Sequence, residues 1–118
     1  MSVRVKRVDE PAAPEDGARV LVDDGWPPQV VPGAVRLDRW ARAAAPSQDL
    51  VCWLRAHPER FDEFAERYRA ELRGDGAAGI LADLRRLART RDLTLLTAST
   101  DPERSPAGVL ARLLRSKR

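Results

Sequence analysis

The chain has 118 residues, 43% of them hydrophobic and 33% charged, and a formal net charge of +3. That length suits one domain spanning residues 1–118, and that balance excludes intrinsic disorder. No apolar run reaches the roughly 20 residues of a membrane helix, and the start, Met1-Ser2-Val3-Arg4, lacks the apolar segment of a signal peptide, so a cytoplasmic protein without membrane contact is expected.

Cys52 is the sole cysteine, which rules out an intrachain disulfide. Lying in an apolar helical pattern beside Trp53, it reads as a buried, inert thiol. Lys6 and Lys117 are the only lysines, so the positive charge is nearly all arginine. Arg85, Arg86, Arg89 and Arg91 cluster, and guanidinium groups can hold phosphates bidentately. No aromatic residue interleaves with them as a base-stacking surface requires, so a solvated helix face is expected and nucleic acid is disfavoured as a partner.

In chain order, Val3 to Val8 alternates Val3, Val5 and Val8 with Arg4, Lys6 and Arg7, the period of a strand. Pro11 to Gly17 reads as a turn or a single helical turn. A second strand is expected over Arg19 to Asp23. Three prolines and a glycine between Pro27 and Gly33 block regular structure, leaving a surface loop with Val30 and Val31 folded back. Leu37, Trp40, Ala41 and Ala44 then recur at helical spacing until Pro46. Ser47 is placed to cap a second short helix carrying Leu50, Val51 and Leu54.

The clearest periodicity lies in Glu59 to Arg73, where Phe61, Phe64, Ala65, Tyr68 and Leu72 make one stripe. Gly74-Asp75-Gly76 ends that helix, and Ile80, Leu81, Leu84, Leu87 and Ala88 define another to about Thr90. Leu93 to Thr97 is an apolar, β-branched run expected to form a third strand buried on both faces. Ser105 as N-cap and Pro106 at the first helical position introduce a last helix with Val109, Leu110, Leu113 and Leu114 inward. The basic tail from Arg115 to Arg118 is expected to fray. Strands separated by helices predict an α/β fold: a small, mostly parallel, three-stranded sheet with helices packed around it. Ligands in such folds sit beyond the carboxyl ends of the strands.

Val5-Lys6-Arg7-Val8, Asp16-Gly17, Arg19-Val20-Leu21-Val22-Asp23, Trp26-Pro27, Leu37-Asp38-Arg39-Trp40, Ala45-Pro46-Ser47, Phe64 to Leu72 and Thr94-Leu95-Leu96 together resemble the YeaO-like family of small bacterial proteins of unknown function. The likeness runs from about Val3 to Leu114. After the second strand that family usually reads D-R-L-W-P-R-G, whereas this chain has Asp23-Asp24-Gly25-Trp26-Pro27-Pro28-Gln29, with both arginines gone. Before the last helix a histidine and asparagine stretch is replaced by Arg104-Ser105-Pro106-Ala107. If the family's arginines bind an anion, Asp24 reverses the charge there.

Candidate chemistry gathers in the loops after the strands. Asp23 and Asp24 offer a general acid and base or ligands for a hard cation, although adjacent strand residues point to opposite faces. Trp26 beside two prolines can stack on a ring or close one end of the core. Ser99, Thr100, Ser105 and the free amides of the last helix could hold an anion, though a helix start shows the same hydroxyls. His57, the one histidine, cannot alone build a typical zinc site and reads as a surface-turn residue. Trp40 and Trp53 read as core residues.

The expected ligand site therefore comprises Arg7, Asp23, Asp24, Trp26, Ser99 and Ser105, with no cofactor, no metal and no assigned catalytic residue. Two readings follow: a non-enzymatic interaction or regulatory protein on an eroded ligand-binding scaffold, or a small-ligand-binding or enzymatic domain. The partners they imply are a protein, a second copy in a homodimer, or a small anion.

Overall fold

The computed structural model describes residues 2–23 and 36–116. Asp24, Trp26 and the proline loop with Val30 and Val31 lie outside the described residues. Four strands form one sheet: β1 (Val3–Arg7), β2 (Ala18–Leu21), β3 (Arg39–Trp40) and β4 (Leu93–Thr97). All described pairings are parallel and the spatial order is β1-β4-β2-β3. The α/β class read from the sequence holds, with one strand more than the alternation alone had suggested.

The extra strand is a correction. Leu37, Trp40, Ala41 and Ala44 have helical spacing, yet Arg39–Trp40 extends beside β2, with Val20 opposite Arg39 and Leu21 opposite Trp40. The Asp38 amide donates to the Arg19 carbonyl and the Ala41 amide to the Leu21 carbonyl, both at 2.8 Å. An exposed row of β2 carbonyls and amides needs partners, and this segment supplies them. A 3-10 turn at Arg42–Ala44 follows.

Helix α1 (Gln48–Ala56) starts where the sequence placed it, with the Ser47 hydroxyl accepting from the Leu50 amide at 3.2 Å. Helix α2 (Phe61–Leu72) buries the expected stripe of Phe61, Phe64, Ala65, Tyr68 and Leu72. Gly74 serves as the N-cap of α3 (Asp75–Thr90), so the two helices nearly abut. The last helix, α4 (Pro106–Ser116), begins after Ser105, whose hydroxyl accepts from the Gly108 amide.

The register explains the two cores. Val3, Ala18 and Leu93 share one row, and Val5, Val20 and Leu95 the next. All four helices pack apolar residues against this face, in a cluster that includes Leu50, Phe64, Tyr68, Leu84 and Leu110. The opposite face holds a smaller cluster of Val8, Leu21 and Leu96, with Leu37, Trp40 and Ala98 against it.

That second face also buries a charge the sequence did not single out. Asp16 and Arg19 are 2% and 1% exposed, and the Arg19 guanidinium donates to the Asp16 carboxylate at 2.6 Å. Lys6 donates to both Asp16 oxygens and the Ala13 amide to one, while Arg19 Nε bonds the Arg36 carbonyl at 2.8 Å. Desolvation pushes the Asp16 carboxyl up, but the Ala13 amide, Lys6 and Arg19 outweigh it and hold it below its usual range.

Two further expectations change. Cys52 is exposed: Leu50 and Leu54 share the inward face of α1, and a residue two positions from Leu50 lies about 200° around the helix, on the other side. Arg115 does not fray; it lies within α4 and donates from Nε and Nη2 to the Val3 carbonyl at 2.9 and 2.6 Å.

Candidate functional site at the carboxyl ends of the strands

Parallel pairing brings the ends of β1, β4 and β2 to one edge of the sheet. Arg7 is opposite Thr97, the Val8 amide donates to the Thr97 carbonyl at 2.8 Å, and the Val22 amide to the Leu96 carbonyl at 3.2 Å. The loops after these strands carry the residues from which the site was expected.

Asp23 is the best-placed of them. Its carboxylate accepts from the Ala98 amide at 2.9 Å and from the Thr97 hydroxyl at 3.2 Å, and its backbone carbonyl accepts from the Trp40 indole at 2.8 Å. The half-buried side chain thus ties the end of β2 to the turn after β4. Burial pushes its carboxyl above the usual range, while the Ala98 and Thr97 bonds pull the other way. The buried Tyr68 phenol is pushed up by its own burial and then by the charges of Asp23 and Glu71.

Thr97 is the residue that sequence reasoning missed here. It is 1% exposed, donates to Asp23 and accepts from the Ser99 amide at 3.2 Å. A β-branched residue at the end of a buried strand signals packing in sequence; only its neighbours reveal the polar hub. Trp40, read as a helical core residue, also joins this edge, with the Arg42 guanidinium 4.9 Å from its ring centre.

Of the other expected residues, the described ones, Arg7, Ser99 and Ser105, are engaged locally, and Asp24 and Trp26 lie outside the described residues. Arg7 is exposed and pairs with Asp9 at 3.2 Å, while its amide donates to the Glu10 carboxylate. The Ser99 hydroxyl accepts from the Asp101 amide and donates to the Asp101 carbonyl, closing its own turn. Ser105 is buried, donating to the Pro102 carbonyl at 2.5 Å and capping α4. The capping use of this serine, rather than an open anion cradle, is what the geometry displays. His57 caps α1 between the helices, half-buried, its ring 5.1 Å from that of Trp53.

Chemically, the described part of this edge offers one carboxylate with a raised pKa beside a hydroxyl that is already bonded on both sides. Among the described residues no buried side-chain polar atom lacks a partner, and no three metal-ligating side chains converge.

A parallel α/β protein whose strand-end polar groups hold the backbone is the class these features define. The sequence pattern of the inactive DUF488-N3 subclade matches residues 2–118, and the chain belongs to that family. An uncharacterized protein of Mycobacterium tuberculosis is 47% identical over 115 residues, covering 98% of this chain and 95% of the relative. One of Mycobacterium bovis matches equally. The uncharacterized protein YeaO of Escherichia coli is 36% identical over 117 residues, covering 98% of this chain and 99% of YeaO, so the YeaO-like resemblance is a family relationship. No solved structure matches the chain.

Proposed function

We propose that the protein is a non-enzymatic interaction or regulatory protein, built on an α/β scaffold whose strand-end site has become part of the structure. The observation that carries this reading is the Asp23 carboxylate, held by the Ala98 amide and Thr97 hydroxyl where a free acid or base would be needed. The replacement of the family's arginine by Asp24 and the description of the subclade as inactive support it. Its partner is a protein, which includes a second copy of the chain. No described helix is long and apolar enough to cross a membrane, in keeping with a cytoplasmic setting.

Thermal-shift measurements against nucleotides, sugar phosphates and divalent cations test this, because a ligand of the folded state raises its melting temperature. No shift is expected, and sedimentation should show concentration-dependent self-association. A ligand that raises the melting temperature of the wild type and loses its effect in Asp23→Asn would overturn the proposal. That outcome would favour the second reading, a small-ligand or enzymatic site, which the raised pKa of Asp23 supports.

A further inference from the structure

A concavity lies at the opposite end of the sheet from Asp23. Ser2 and Val3 at the start of β1, Arg85, Ala88 and Arg89 on α3, and Leu114 and Arg115 on α4 line a cleft of about 420 Å³. That volume is within the range that takes a small organic molecule. Val3, Ala88 and Leu114 supply an apolar floor, and Val3 and Leu114 themselves belong to the main core.

The polar lining is one-signed. Arg85 and Arg89 are one turn apart on the same face of α3, and neither forms an ion pair among the described residues. Arg115 is fixed by its two bonds to the Val3 carbonyl, so its charge stays at the rim. Ser2, on the same rim, is pinned by its amide and hydroxyl to the Asp92 carboxylate at 2.9 and 3.2 Å, and this holds β1 against the start of β4. Among the described residues no acidic side chain lines the cleft, the Asp92 carboxylate standing behind Ser2. The larger cleft along β2 and β3 differs in this respect: Asp83 there pairs with Arg39 at 3.2 Å and also with Arg86, and Asp38 adds a further acid.

We infer that the cleft between α3, α4 and the start of β1 binds a small amphipathic anion, its carboxylate or phosphate head between Arg85 and Arg89 and its apolar body on Val3, Ala88 and Leu114. Guanidinium groups match the planar or tetrahedral oxygens of such heads, and the apolar floor excludes water from the rest of the ligand. Neither feature alone selects this class: inorganic phosphate gains nothing from the floor, and an alcohol gains nothing from the arginines.

Amide chemical shifts of the full chain, titrated with octanoate and octyl phosphate below their micelle-forming concentrations, read this directly. Saturable shifts are expected at Ser2, Val3, Ala88 and Leu114, with weaker binding of octanol and of inorganic phosphate. The Arg85→Ala/Arg89→Ala double variant, at one half-buried and one exposed position, should weaken octanoate binding on the order of tenfold or more. Ala88→Trp, which fills the floor, should weaken it with both arginines in place. Absence of saturable shifts, shifts elsewhere on the molecule, or unchanged affinity in the double variant would overturn the inference. So would binding confined to phosphatidylglycerol vesicles, which would point to a membrane surface instead.

Discussion

Among the described residues Arg19 is the largest side chain that the fold buries completely, and it carries its guanidinium into the interior. Removing one partner of a buried pair costs roughly 3–5 kcal/mol, the lower end applying here because Lys6 still reaches Asp16, whereas replacing both by apolar residues is milder. Arg19→Ala is therefore expected to lose about 3 kcal/mol in urea unfolding, and an Asp16→Leu/Arg19→Met double variant to recover part of it, since Lys6 and the Ala13 amide then lose their acceptor. Asp23 behaves differently. Its folded-state pKa is raised by burial above the unfolded value, so the folded state binds the proton more tightly, and stability declines as pH rises from the unfolded value through the folded one. Asp23→Asn removes that decline and leaves one acceptor in place. Melting curves should show the variant gaining on the wild type from pH 3 to pH 7, and an equal difference at both would contradict the assignment.

At the level of elements, two contacts fix how the segments meet. Gly17 has φ +64°, and a Cβ there would stand 2.1 Å from the Asp92 carbonyl oxygen, the atom that accepts from the Ala18 amide at the start of β2. Gly17→Ala thus combines backbone strain with a clash against the chain entering β4, and a loss of about 2 kcal/mol or more in denaturant unfolding is expected. Tyr68 reaches from α2 to the Ala44 carbonyl before α1, joining the two across the core. Tyr68→Phe keeps the ring and orphans that carbonyl, so a loss of roughly 1–2 kcal/mol with little change in the circular dichroism spectrum is expected. The helices were legible in the sequence because caps and stripes are local: Ser47, Ser105 and Pro106 mark starts, and Phe61 to Leu72 repeats at the helical period. Strand β3 was not, because two residues carry no period of their own. Arg39 and Trp40 become a strand only because β2 offers them its free edge.

Across the whole molecule, the carboxylates whose pKa is lowered set the acid limb of stability. Asp16 is held down by Ala13, Lys6 and Arg19 against its desolvation, Asp92 by its bonds from Ser2, and Glu63 by Arg67 and Arg60. Each contributes stability that is present above the unfolded pKa and lost as pH falls through the folded one. The wild type should therefore lose stability as pH falls through the carboxylate range, chiefly through Asp16, and this loss should be shallower in the Asp16→Leu/Arg19→Met variant. Asp23 opposes this trend only above the unfolded carboxyl pKa, so the two slopes can be separated in one pH series.

The sequence by itself determined the α/β class, the presence of the four α-helices, the three longer strands and the YeaO-like kinship, since each is written in local period, capping chemistry or motif order. It also pointed to the strand-end edge, where Asp23 does stand. Only the tertiary structure decided the order β1-β4-β2-β3, the fourth strand, the buried Asp16–Arg19 pair and the attachment of Asp23 to Thr97 and Ala98. Those features join residues far apart in the chain, Asp23 to Ala98 being 75 positions distant, or depend on which groups the pairing of strands hides from water. A single sequence records what each segment prefers, whereas the partner of a buried charge or of an open strand edge is fixed only when the segments meet.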